Sequence, residues 1–190
     1  MADQPELRSK RLLLRPLTLR DAQTVQALAG VAAVADTTLT IPHPYPDGAA
    51  EAWIATLTPA WDTGAGVTFA ITDRDLGSFV GVVSLAISAN SASAELGYWI
   101  APQFWNRGYA TEAAQTLVDW GMVALRLDRI EARYFVRNPA SGRVLQKLGM
   151  KRETMLNESI EKNGRVEEFA RYTLLAPERL PECVPEFLRP

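Results

Sequence analysis

The stretch Leu96-Gly-Tyr-Trp-Ile-Ala-Pro-Gln-Phe-Trp-Asn-Arg-Gly-Tyr-Ala-Thr-Glu-Ala113 decides how this chain is read. Its first part alternates: Leu96, Tyr98 and Ile100 share one face of an extended segment, and Glu95, Gly97 and Trp99 share the other. Pro102 ends that strand. A helix is expected over residues 108–125, where Ala110, Ala113, Ala114, Leu117, Val118, Gly121, Met122 and Leu125 recur at steps of three and four. Small residues early in this stripe let the helix lie close to a sheet. The turn between strand and helix is therefore the mouth of a helix. Its first amides have no helical partner and carry about half a positive charge, so they accept phosphate oxygens. Gly108 permits close backbone approach, Ala110 nearly as close, and Arg107 and Thr111 add donors. The same residues also fit an ordinary strand–turn–helix whose glycine merely turns the chain. Neither G-x-G-x-x-G nor the G-x-x-x-x-G-K-[ST] loop is present, so dinucleotide and ATP readings have no motif.

Outward from this stretch, residues 10–17 read as a strand, and Thr18 opens a helix with Asp21 in its first turn. Residues 30–40 are small and apolar and partly helical. Residues 41–46 hold three prolines and form a loop. Asp47 is expected to cap a helix over 48–61. Strands follow at 67–71, 78–87 and 92–100, with a hairpin signal at 88–91. After the central helix comes a strand at 129–136. Asn138 is then an N-cap, Pro139 the first residue of a helix, and Gly149 its end. Two last strands, 151–160 and 166–175, are joined by Asn163-Gly164. The order gives an α+β fold, a mixed sheet flanked by helices. Residues 1–175 are expected to form one domain, and 176–190 a Pro-rich C-terminal extension.

The 190 residues carry a net charge of −2 and no dense Lys/Arg patch, which argues against nucleic acid as a partner. There is no run of about 18 apolar residues and no leader-like start, so no membrane partner is expected and the location is expected to be cytoplasmic. With one His and one Cys, Cys183 in the tail, neither a Cys/His catalytic pair nor a metal site is expected.

The segment resembles the GNAT acetyltransferases, whose diphosphate turn reads [RQ]-x-x-G-x-[GA] and is matched by Trp105-Asn106-Arg107-Gly108-Tyr109-Ala110. It is most similar to the Rim-type ribosomal-protein N-terminal acetyltransferases. Their Glu-Leu-Gly-Tyr-Trp, Gly-Tyr-Ala-Thr-Glu-Ala and Asn-x-x-Ser patterns stand at 95–99, 108–113 and 138–141. Lys147-Leu-Gly-Met150, Glu153, Asn163-Gly164, Glu168 and Tyr172 fit the same group's terminal hairpin. The chain departs from the pattern at five places. Trp105 replaces the usual Arg or Gln, although an aromatic is usual there in the Rim-type branch; Asn106 replaces a glycine and Thr154 another; Glu168 stands where Asp is more typical, and Leu145 where a catalytic tyrosine is frequent.

The resemblance implies a mostly antiparallel twisted sheet with one splayed parallel strand pair. It implies acetyl-CoA as co-substrate and a primary amine as acceptor. The pantetheine arm would pair with main chain near Tyr98, Trp99 and Ile100. The diphosphate would sit on Asn106, Arg107, Gly108, Tyr109, Ala110 and Thr111, and Asn138 and Ser141 would complete the coenzyme site. An alkyl amine with a pKa of roughly 10 is almost wholly protonated at neutral pH and needs a base. Glu95 is the candidate, acting through water; its other reading is a solvated or ion-paired carboxylate. Ser141 is the candidate acid for the leaving thiolate, or else a helix-surface serine. His43 and Tyr45, in the proline loop, would border the acceptor. Glu158, Glu161, Glu167 and Glu168 read as a solvated edge. The acceptor is a protein N-terminus or a small-molecule amine, the protein a monomer or homodimer. A module that binds acyl-CoA without turnover is the reading from a different class.

Overall fold

A computed structural model of the chain describes residues 3–89, 92–153, 158–162 and 164–176. The first strands, β1 (Leu7–Arg8) and β2 (Leu12–Pro16), precede a short 3-10 turn and helix α1 (Ala22–Ala29). Asp21 folds back to accept the Thr18 amide at 2.8 Å and pairs with Arg15, which fixes the entry to that helix. Residues 30–40 are helical in part, as expected, through α2 (Ala32–Ala35). The expected helix at 48–61 is two, α3 (Ala49–Ala55) and α4 (Leu57–Asp62). Pro59 has no amide to bond the Ala55 carbonyl, so the helix breaks and restarts at Thr56. Asp47 does not cap it; its carboxylate accepts from Gln26, and Gly48, at φ +76°, starts the helix.

Strands β3 (Gly66–Asp73), β4 (Phe79–Ile87) and β5 (Ser93–Ile100) form an antiparallel run. After β5 come α5 (Tyr109–Ala124), β6 (Arg129–Phe135) and α6 (Pro139–Lys147), with Gly149 at φ +75° ending α6 as expected. The chain continues through β7 (Lys151–Arg152), β8 (Glu158–Lys162) and β9 (Arg165–Leu175). Among the described residues nine strands make one sheet in the order β1-β2-β3-β4-β5-β6-β9-β7, with β8 on β9. The hairpin residues Asn90, Ser91 and Asn163, as well as Thr154, Cys183 and nearly all of the 176–190 extension, lie outside the described residues.

Among the described residues every strand pairing is antiparallel except β5–β6. That parallel pair is short: it runs from Ser93↔Arg129 to Glu95↔Glu131 and stops, while β6 stays paired to β9 as far as Phe135. Beyond Glu95 the two strands part.

Each face of the sheet has its own core. On one face Ala113, Ala114, Leu117 and Val118 of α5 and Leu145 of α6 pack on Leu85, Leu96 and Ile130. A methyl at Gly121 would meet Leu85 Cδ1 at 2.7 Å, the reason this stripe of α5 is small. On the other face Val25, Val34 and Ile54 cover Val82 and Trp99. The alternation in β5 thus delivers Tyr98 to the α5–α6 side and Trp99 to the α1–α3 side.

Candidate functional site

The gap between β5 and β6 offers an open strand edge. Ala101 donates its amide to Val80 O at 2.9 Å, so Gly81 and Ile100 face each other without mutual bonds, and Trp99 pairs its main chain with Val82. Main-chain polarity alternates along a strand, so the groups of Tyr98 and Ile100 point to the edge that β6 has left. Trp99 was expected to offer main chain to a pantetheine arm, and this register corrects that: its amide and carbonyl belong to β4. The strand approaches β4 unusually closely here; a Cβ on Gly81 would lie 2.1 Å from Trp99 O.

The turn to α5 is held in shape at both ends. Trp105 donates its indole N–H to Ile100 O at 2.6 Å, so the aromatic in place of Arg or Gln ties the turn back to the strand. Asn106 and Gly108 have φ of +60° and +78°. Asparagine enters this left-handed region more readily than other residues with a side chain, which explains how it replaces a glycine there. The first backbone bond of the helix runs from Glu112 N to Gly108 O at 3.0 Å, leaving the amides of Tyr109, Ala110 and Thr111 ahead of the ladder. Gly108, Thr111 and Glu112 line a cavity of about 460 Å³ with Gln115, Thr116, Asp119 and Lys147. The side chain of Tyr109 is not part of this mouth: it is buried, and its hydroxyl donates to Asp73 Oδ2 at 2.9 Å. The Leu76 amide and the Tyr109 hydroxyl hold the Asp73 carboxyl below the usual range against the opposing effect of burial.

Across the gap, the Tyr98 and Ser141 hydroxyls lie 2.7 Å apart. Burial pushes the Tyr98 hydroxyl up to about 12, so it stays protonated at neutral pH. Asn138 accepts from the Ser141 amide at 3.4 Å and caps α6, which sets where that serine stands. Leu145, one turn on, is in the core at 1% exposure.

On the α1–α3 face, Glu95 forms a two-point pair with Arg133, Nε–Oε1 and Nη2–Oε2 each 3.0 Å. The pair joins β5 to β6 just past their last parallel contact. Arg133 had drawn no notice in the sequence, where it reads only as an alternate residue of a strand. Beyond it, Phe135 stacks on Phe169 at 4.9 Å between centroids. Arg137 bonds Glu167 at 2.7 Å and Asp36 at 2.7 Å, and Lys162 donates to Ala35 O at 2.6 Å and to Thr38 O. Glu167 is therefore not on a solvated edge; it is buried and paired.

His43, Asp36, Glu161 and Lys162 line a cavity of about 650 Å³ with residues 39–42. His43 holds Gly30 O through Nδ1 at 2.7 Å. Tyr45, expected beside His43 at the acceptor, packs instead against Gly30 and the Val25–Ile54 cluster, and burial raises its hydroxyl. The expected site thus divides: Tyr98, Ile100, Ser141, Asn138 and the 106–111 turn gather around the strand gap, Glu95 lies on its other face, and His43 belongs to a separate cavity.

A model of the acetyltransferase (GNAT) domain family matches residues 11–151. The chain belongs to the GNAT acetyltransferases. It is 30% identical to the N-acetyltransferase YoaA of Bacillus subtilis (strain 168) over 174 residues, 91% of this chain and 98% of that one. Among solved structures it superposes on RimL, a ribosomal L7/L12 α-N-protein acetyltransferase in complex with coenzyme A, with a TM-score of 0.82 at 18% identity. That match covers 90% of this chain and 98% of RimL. A spermidine N-acetyltransferase, a chimera of Vibrio cholerae SpeG and hSSAT, superposes with a TM-score of 0.74 at 24% identity, covering 87% and 96%. This GNAT member is accordingly an acetyl-CoA-dependent N-acetyltransferase, and its mixed sheet with one parallel strand pair has the GNAT fold of these neighbours.

Proposed function

We propose that the enzyme acetylates a protein N-terminal α-amine by direct attack within a ternary complex. The observation that carries the reading is the strand gap, bordered by the open edge at Tyr98 and the Ile100 amide, the Ser141 hydroxyl and the amides behind Gly108. Those residues fit acetyl-CoA. Amides 109–111 and Arg107 suit a diphosphate, and the β5 edge suits the amides of an extended pantetheine arm. The thioester supplies the acetyl group. A main-chain amide at the open edge polarises its carbonyl. The amine nitrogen forms the new bond to that carbonyl carbon as the C–S bond breaks. Before the attack Glu95 takes one proton from the ammonium through water, using the lone pair that each oxygen bonded to Arg133 keeps, and the second nitrogen proton passes to solvent as the amide forms. Ser141, steadied by Tyr98, gives its proton to the thiolate and recovers one from solvent.

Residues 1–175 form the transferase domain in this reading, with a C-terminal extension, and a monomer or homodimer works in the cytoplasm. The fold likeness to RimL supports a protein acceptor. The 650 Å³ cavity beside His43 favours a second reading, a small amine such as a polyamine; its wall carries Glu161, with Lys162 beside it and Asp36 already paired to Arg137.

The test is thiol release from acetyl-CoA with a panel of ribosomal-protein N-terminal peptides, polyamines, amino acids and aminoglycosides. Turnover confined to peptides supports the first reading, and turnover confined to small amines moves the assignment to the second. With the accepted amine, Glu95→Gln should lower the rate most at low pH, where free amine is scarce. An unchanged pH–rate profile removes Glu95 as the base.

A further inference from the structure

Arg11 stands just before β2, far in sequence from the coenzyme turn, yet its guanidinium touches much of that turn. Nη1 donates to Arg107 O at 3.0 Å, and the group lies 4.5 Å from the centre of the Tyr109 ring. A Cβ on Gly108 would lie 3.6 Å from Nη2. Nε and Nη2 each bond Glu112 Oε2 at 2.7 Å. The Arg11 amide and the Ser9 hydroxyl hold Glu112 Oε1 at 2.7 and 2.8 Å.

Glu112 sits in the first turn of α5, where an acid is drawn to the helix mouth. Loose, it would compete with the diphosphate for the same amides, and it would add a like charge beside an anion in any arrangement. In the structure its carboxylate is turned to the β1–β2 side and met by a cation.

We propose that Arg11 is a positioning residue for the coenzyme: it holds the Glu112 carboxylate off the mouth of α5, cancels its charge, and props the turn through Arg107 O. The inference rests on the reading that this turn takes the diphosphate. It assigns a function to an edge residue that touches neither the acetyl group nor the amine.

The test compares acetyl-CoA with acetyl-pantetheine, which lacks the diphosphate, in the wild type, Arg11→Gln, and the double variant Arg11→Gln/Glu112→Gln. If the wild type uses both donors equally well, the turn does not bind the diphosphate and the underlying reading fails. If it prefers acetyl-CoA, Arg11→Gln should raise KM for acetyl-CoA about tenfold. Its kcat at saturation and its kcat/KM for acetyl-pantetheine should be unchanged, and the double variant should recover most of the lost affinity. An unchanged KM in Arg11→Gln overturns the proposal, as does a parallel loss with acetyl-pantetheine. A double variant as weak as the single one shows that the Glu112 charge is not what Arg11 restrains, and overturns it too.

Discussion

The hydroxyl of Tyr98, on β5, lies 2.7 Å from the hydroxyl of Ser141, on the first turn of α6, so one hydrogen bond spans the gap between the parted strands. If Tyr98 orients Ser141, the two act as a unit. Ser141→Ala should lower kcat by about 10² and Tyr98→Phe by a smaller factor. The double variant should be no slower than Ser141→Ala alone, because the tyrosine then has nothing to orient. Steady-state rates of the three variants check this; multiplicative losses would show independent roles.

Gly81 is a position where β4 leaves no room. Gly81→Ala must move the Trp99 carbonyl, which is backbone of the cleft strand, and should cost about 1–3 kcal/mol. The melting temperature should fall by about 3–10 °C, and coenzyme affinity with it. Gly97→Ala, whose methyl would meet only Ser84 Oγ at 3.2 Å, should do far less. Thermal melts with and without coenzyme A give the comparison.

Asp73 links the β3–β4 turn to the start of α5 through the Tyr109 hydroxyl. Its folded-state pKa is depressed, so its ionised form contributes stability that is complete above the unfolded value of about 3.9 and is lost as pH falls through the folded value. Asp73→Asn should therefore be less stable by about 2 kcal/mol at neutral pH, with the gap to wild type closing in acid. Denaturant unfolding of both proteins between about pH 3 and 7 measures it; a gap that does not narrow in acid would show that its charge is not what matters.

Features that depend on neighbours in the sequence were readable in it. The alternation of β5, the small stripe of α5, and Asn138, Pro139 and Gly149 around α6 each follow a local rule, and each stands where those rules put it. The break at Thr56 was equally local, with Pro59 as its unread signal. What could not be read was who meets whom. Arg137 and Asp36 are 101 residues apart, and Glu95 and Arg133 38 apart. Either acid alone looks like a free surface carboxylate. Tyr45 has the same limit: the prolines around it mark a loop, but the packing of its ring is set by Gly30 on another element.

The Trp105 indole bond to Ile100 O closes a loop only five residues long between the end of β5 and the turn before α5. Strand end and helix mouth are thereby joined like the two arms of a clip and cannot swing independently. In the proposed reading coenzyme A meets a socket whose strand end and helix mouth are already joined, so little ordering entropy should be lost there when it docks.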